Sequence, residues 1–198
     1  MPLQVGVTGG IGSGKSIVCK VFQCLGIATY DADSRAKYIM TTDGILISAI
    51  KKEFGELSYR PDGSLNREYL GKLAFADPER LATLNSIVHP RVGADYERWV
   101  SEHGADRYVI KEAALLFETD SYKVLDAVIV VSSPVDLRIK RVLMRDSHRS
   151  KQDVEKIIQN QLPEAKTLEL ADHIIQNDDK HLVIPQVLAL HSKFTSGV

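Results

Sequence analysis

Apolar residues along this chain change period several times, and each change marks an element. Leu3 to Thr8, LQVGVT, is a short apolar run that ends in glycines and predicts a buried strand. From Gly14 to Leu25 the spacing becomes helical: Ile17, Val18, Val21, Phe22 and Leu25 form one stripe, stopped by Gly26. Ile27 to Tyr30 predicts a second short strand. From Asp33 to about His103 the pattern is mostly helical, with breaks expected at Asp43-Gly44, Pro61-Asp62-Gly63, Asp77-Pro78 and His89-Pro90. Strand signals return at Arg107 to Ile110, at Asp126 to Val131 and at His173 to Gln176. Pro134 suits the first turn of a helix. A basic stretch from Lys140 to Lys151 leads into further helices, and the tail from Lys180 predicts one more.

Strands alternating with helices predict an α/β, three-layer fold with a parallel central sheet covered on both faces. The helical run between the second and third strands is too long for a simple crossover and reads as an inserted subdomain over a substrate. The expected division is a core of about 1–32, 105–139 and 171–198, a helical substrate insert of about 33–104, and a lid region of about 140–170. No internal repeat or low-complexity linker separates independent domains.

Composition narrows the class. The 198 residues can bury a core without disulfides or a structural metal. A formal net charge of -1 gives no support for nucleic acid as a partner. Cys19 and Cys24 lack any metal or redox spacing and are expected to pack in or beside the first helix. No charged-then-apolar leader or membrane-length apolar run is present, so the expectation is a cytoplasmic protein without membrane contact. A monomer or weak oligomer is expected.

The strongest chemical signal is Gly9-Gly10-Ile11-Gly12-Ser13-Gly14-Lys15-Ser16, which fits G-x-x-x-x-G-K-[ST]. Average residue usage makes a chance match in a chain this long about one per cent. Here the motif also lies between an apolar strand and an amphipathic helix, as phosphate binding requires. Its glycines allow backbone N–H groups to converge on phosphate oxygens, and the helix behind presents its positive end. Lys15 would reach the β- and γ-phosphates of ATP, and Ser16 would ligate Mg²⁺.

Such loops also serve switch proteins, but no Asp-x-x-Gly or Asn-Lys-x-Asp motif accompanies this one. Asp31-Ala32-Asp33 instead ends the second strand, where ligands of open α/β sheets bind. A carboxylate there could accept a hydroxyl proton or hold Mg²⁺, although capping of the next helix is the plain alternative. Both aspartates on an extended segment would point to one side. Lys140, Arg141, Arg145 and Arg149 follow the strand at Asp126 to Val131, and Arg141 and Arg145 share a helix face. Guanidinium groups there could close over phosphates.

Together these segments resemble the dephospho-coenzyme A kinase family, a group of P-loop small-molecule kinases, across nearly the whole chain. The resemblance rests on VTGGIGSGKS, the DAD triplet, Arg67 with Tyr69-Leu70, His89-Pro90 and EAALLFE at 112–118. It continues through Arg141-Val-Leu-Met-Arg145-Asp146, Gln161, Ala171-Asp172 and Asn177. It implies a phosphotransferase with an alcohol acceptor that moves phosphate from ATP to the 3′-hydroxyl of dephospho-CoA, the last step of CoA synthesis. By that resemblance Asp33 is the general base, with Lys15 and Arg145 also catalytic. The nucleotide is held by Gly10, Ile11, Gly12, Ser13, Gly14, Lys15, Ser16, Ile17, Arg141, Arg145 and Asn177, the last near adenine. Arg67, His89, Leu115 and Leu116 lie on the acceptor side. Mg²⁺ falls to Ser16, with Asp33 or Glu112 acting through water.

The chain departs from the family pattern in three places. Ile17 stands for Thr, Ala114 for the Pro before Leu-Leu, and Glu112 for the frequent Asp. Another small-molecule kinase, for a nucleotide or sugar acid, is the nearest alternative, and a nucleotide-dependent switch is the alternative from another class. Tyr96 and Trp99 share a helical stripe with Val92 and Val100 and are expected to pack. His103, His148, His173, His181 and His191 carry no expected chemistry.

Overall fold

The computed structural model describes residues 1–75 and 77–196. In chain order its main elements are β1 (Leu3–Thr8), α1 (Lys15–Cys24), β2 (Thr29–Asp31), α2 (Ala32–Thr42), α3 (Gly44–Phe54), α4 (Arg67–Phe75) and α5 (Pro78–Glu102). Then come β3 (Tyr108–Glu112), β4 (Ala127–Ser132), α6 (Val135–Arg145), α7 (Lys151–Gln159), α8 (Glu164–Glu169), β5 (His173–Gln176) and α9 (Val183–Ser196). They form two compact units: Met1–Asp31 with the chain from Glu102 onward, and Ala32–Ser101.

In the first unit the strands form one parallel sheet in the order β2-β3-β1-β4-β5. β1 lies at the centre and is wholly internal, which explains its nearly continuous apolar run. One face of the sheet presents Val5, Val7, Ile110, Ile129, Val131 and Ile175 to Val18, Cys19 and Phe22 of α1 and to Val187 and Phe194 of α9. The opposite face packs Val128 and Val130 against Leu116 and Phe117, with Leu162 and Leu168 at the margin. Each such aliphatic or aromatic side chain stabilises the fold by about 1.5–3 kcal/mol on burial. Gly6 leaves room for two leucines packed over it: a Cβ would lie 2.7 Å from Leu116 Cδ2 and 2.8 Å from Leu125 Cδ1, and both side chains would have to shift.

The strand boundaries differ from expectation by one or two residues. β3 runs on to Glu112, paired with Val7 and Asp31, β4 runs to Ser132, paired with Gln176, and β2 begins at Thr29, paired with Ile110; register with neighbouring strands rather than local composition bounds each strand. Ile17 leaves the apolar stripe of α1 and is 59% exposed, while Cys19 takes the buried position. Cys24 is exposed.

The second unit is helical around a core of Ile39, Leu46, Ile50, Phe54, Tyr59, Leu70 and Val88. Asp43 caps α3 by accepting from the Ile45 and Leu46 N–H groups and also binds Arg91, which explains the predicted break at Asp43-Gly44. The break expected at His89-Pro90 is absent, and α5 runs through Pro90. An interior proline costs about 3 kcal/mol in an isolated helix. Here Val88, Tyr96 and Val100 are buried on both sides of it. Asp95 is anchored by Arg35 at 2.7 Å and by Arg98. Tertiary contacts therefore carry the helix past the proline. Tyr96 and Trp99 stack with ring centroids 6.2 Å apart, as packing residues.

Candidate active site

The phosphate loop leaves β1 at the sheet's switch point, with β3 on one side and β4 on the other. Gly9, Gly12 and Gly14 have positive φ, at 149°, 78° and 96°. At Gly12 and Gly14 a side chain would be strained whatever the space. The Ser13 N–H closes a turn on the Gly10 carbonyl at 3.1 Å. Gly14 then begins α1 in left-handed conformation without any side-chain cap. The start of α1 thus offers backbone N–H groups and a positive dipole end to an anion. Lys15 Nζ donates to the Gly9 carbonyl at 2.9 Å, so its ammonium is held over the concavity. Ser16 is exposed on the first turn.

Three side chains brace this loop from behind. Asn177, just beyond β5, is buried and donates through Nδ2 to the Ser13 carbonyl at 2.7 Å. Gln161 Oε1 accepts the Ile11 N–H at 2.9 Å. Arg138 is 5% exposed and donates through Nε to the Ile11 carbonyl at 2.9 Å. Sequence reasoning missed Arg138. Its signal was its position four residues before Val142, on the face of α6 that turns inward.

Carboxylates gather on the β2–β3 side of the loop. Asp31 and Glu112 are register partners at the carboxyl ends of these strands. Both act on the buried Cys19 thiol beneath them. Burial first and then the Glu112 carboxylate push that thiol well above its ordinary range, Lys15 opposes the shift, and Asp31 adds to it. Lys15, Asp31 and Glu112 therefore all lie within electrostatic reach of the Cys19 thiol on α1. Among the described residues no group of three or more His, Cys, Asp or Glu is placed to hold a metal ion. The Ser16 hydroxyl and nearby carboxylates are hard oxygen donors, a set that suits Mg²⁺ arriving with phosphate oxygens and its own waters.

The arginines of α6 take different partners. Arg141 donates to Ser133 Oγ at 3.1 Å, to the Asn177 carbonyl at 3.0 Å and to Asp179 at 2.6 Å, so it joins the loop through Asn177. Arg145 is instead held by the adjacent Asp146, through Nε and Nη2 at 2.9 Å each. These charge-assisted bonds hold the Asp146 carboxyl below its usual range. Asp146 also takes Arg149 at 3.3 Å. Helix α7 starts from a complete capping box between Ser150 and Asp153 and packs Val154 against Ile139 and Val142.

After β3 the chain turns through Ala113, whose N–H bonds the Val7 carbonyl at 3.2 Å. Leu116 is fully buried beneath β1 and supports the turn, whereas Leu115 is 46% exposed. A cavity of about 110 Å³ opens here, lined among others by Gly9, Gly10, Ala114, Phe117, Arg138 and Gln161.

Asp33, Arg67 and His89 belong to the second unit, on α2, α4 and α5, and all three are exposed. The structure corrects the expectation that Asp31 and Asp33 share one extended segment. Asp31 is the last residue of β2, and Asp33 already lies in the first turn of α2, so strand alternation does not relate their side chains.

A family model described as Dephospho-CoA kinase matches residues 3–182. A dephospho-CoA kinase of Chlorobium chlorochromatii is 36% identical over 184 residues, 90% of this chain and 86% of that protein. Among solved structures, TT1252 from Thermus thermophilus is similar with a TM-score of 0.81 at 29% identity, covering 100% of this chain and 98% of that one. A dephospho-CoA kinase from Campylobacter jejuni gives a TM-score of 0.74 at 24% identity, with 100% and 99% covered, a likeness of fold.

Proposed function

Because the chain belongs to the dephospho-CoA kinase family, we infer that it transfers the γ-phosphoryl group of ATP to the 3′-hydroxyl of dephospho-CoA, releasing CoA and ADP. The observation that carries this reading is the phosphate loop at the switch point, with Lys15 folded over it and carboxylates beside it.

Phosphoryl transfer asks the protein chiefly to position and to neutralise charge. The backbone from Gly10 to Ile17 would cradle the nucleotide phosphates, with Lys15 on their outer oxygens. Mg²⁺ would be held by Ser16, with Glu112 or Asp33 through water, and would supply charge neutralisation between the phosphates. Arg141 and Asn177 would lie on the nucleotide side. Arg145 would exchange Asp146 for the transferring group when ATP is present. Asp33 would accept the proton of the attacking hydroxyl. Arg67, His89, Leu115 and Leu116 would serve the acceptor side, Leu116 through packing beneath it. Residues 140–170 would act as the lid and 33–104 as the acceptor-binding insert.

Among the described residues no helix is long and apolar enough to cross a membrane. A cytoplasmic location and a monomer or weak oligomer are part of the same reading. The test is ADP release across a panel of dephospho-CoA, AMP, CMP, shikimate and gluconate. Turnover with dephospho-CoA alone is expected, and preferential turnover with another acceptor would replace the assignment.

A further inference from the structure

We propose that Arg138 is a positioning residue that sets the shape of the phosphate loop by occupying the space beneath Gly10. The proposal rests on the phosphate-loop reading above.

Ile11, at the tip of the loop, is held at three points. Its carbonyl accepts from Arg138 Nε at 2.9 Å, its N–H donates to Gln161 Oε1 at 2.9 Å, and its side chain packs beside Ile139, Val142 and Val154. Arg138 and Gln161 are themselves joined, Nη2 to Oε1 at 3.4 Å. Both peptide groups of the tip are therefore tied to the segment from α6 to α8.

Burying a guanidinium is unfavourable unless its donors and charge are met. At Arg138, Glu164 supplies an opposite charge 3.8 Å away and is itself held by Ser132 Oγ at 2.7 Å. An aliphatic side chain would fill the same volume without this cost. The feature that only the planar donor supplies is the bond to the Ile11 carbonyl together with a flat surface under Gly10. A Cβ added at Gly10 would fall on the Arg138 guanidinium, well inside van der Waals contact, and one at Gly12 would lie 2.5 Å from the Arg138 carbonyl. Gly10 has no positive φ. Its backbone would accept a side chain, so Arg138 is what excludes one.

That relationship gives a test independent of simple destabilisation. Arg138→Ala, Gly10→Ala and the double variant are compared for turnover with dephospho-CoA and for affinity to a non-hydrolysable ATP analogue, with melting temperatures as a fold check. Arg138→Ala is expected to lower turnover about 10- to 100-fold, since small misplacement of reacting groups has effects of that size. Gly10→Ala is expected to lose at least as much. The double variant is expected to be no worse than Arg138→Ala, because the alanine methyl then has room. Losses that multiply in the double variant, or parental turnover in Arg138→Ala, would overturn the proposal. If Arg138→Ala does not fold, Arg138→Leu, which fills part of the volume and has no donor, takes its place with the same expectations. Should the parent bind the analogue yet release no ADP with dephospho-CoA, the acceptor reading fails. The same comparison in analogue affinity then decides the role of Arg138.

Discussion

Asn177 Nδ2 lies where the Cβ of any residue other than glycine at position 14 would fall, and it donates to the Ser13 carbonyl at 2.7 Å. Gly14 has φ 96°, so a substitution there meets backbone strain as well as this contact. Gly14→Ala is expected to abolish measurable ATP binding in calorimetry. Asn177→Ala leaves a buried carbonyl without its donor and should cost about 1–3 kcal/mol of stability. An Asn177→Ala protein with parental melting temperature and ATP affinity would show that this strap does not shape the loop.

Lys15 extends over the loop with its ammonium on the Gly9 carbonyl, and contributes charge rather than packing. Lys15→Ala should lose at least 100-fold in turnover, the scale of removing one preorganised electrostatic group, while unfolding as the parent does. Near-normal turnover in a folded Lys15→Ala protein would remove the mechanism.

The ion pair between Arg145 and Asp146 holds Arg145, the proposed lid arginine, beside its own helix terminus. An arginine that meets the transferring group matters chiefly where charge develops. Arg145→Ala should therefore lower turnover at least tenfold with little change in the Michaelis constant for ATP. A rise in that constant alone would make Arg145 a ground-state contact.

Asp33→Asn is expected to cut turnover by about two to four orders of magnitude, the span usual for a general base. ATP affinity should hardly change. Asp31→Asn, at the end of β2 beside Glu112, should do less damage. Measured with saturating dephospho-CoA, an inactive Asp31→Asn beside an active Asp33→Asn would reverse the assignment.

The turn after Asn177 carries a pH signature. Asp178 accepts the His181 and Lys180 N–H groups at 3.0 Å each, and these backbone bonds lower its pKa from 3.8 to about 2. A depressed carboxylate lends stability that is present above its unfolded value and lost as pH falls through the folded one. The parent should thus lose stability between 3.8 and about 2, and Asp178→Asn should lose less over that window. Urea midpoints measured along the range check this, and equal slopes in the two proteins would refute it.

The sequence alone determined the parts whose cause is local. The phosphate loop was legible because Gly9, Gly14, Lys15 and Ser16 must stand at fixed spacing for a backbone to wrap phosphate. The strands were legible because a parallel sheet covered on both faces needs unbroken apolar runs such as Val128 to Val131. The order of motifs from Gly9 to Asn177 was enough to identify the family. Tertiary structure decided what depends on residues far apart in sequence. Pro90 reads as a break, yet Asp95, Tyr96 and Val100 hold α5 through it. Ile17 reads as core, yet the approach of α1 to the sheet buries Cys19 instead. Arg138 lies just before the basic stretch and shows no local mark of a role, but the fold brings it under Ile11, 127 residues away, where it becomes a buried brace. Local spacing can state which residues share a helix face; which face is buried, and against what, depends on contacts that only the folded chain makes.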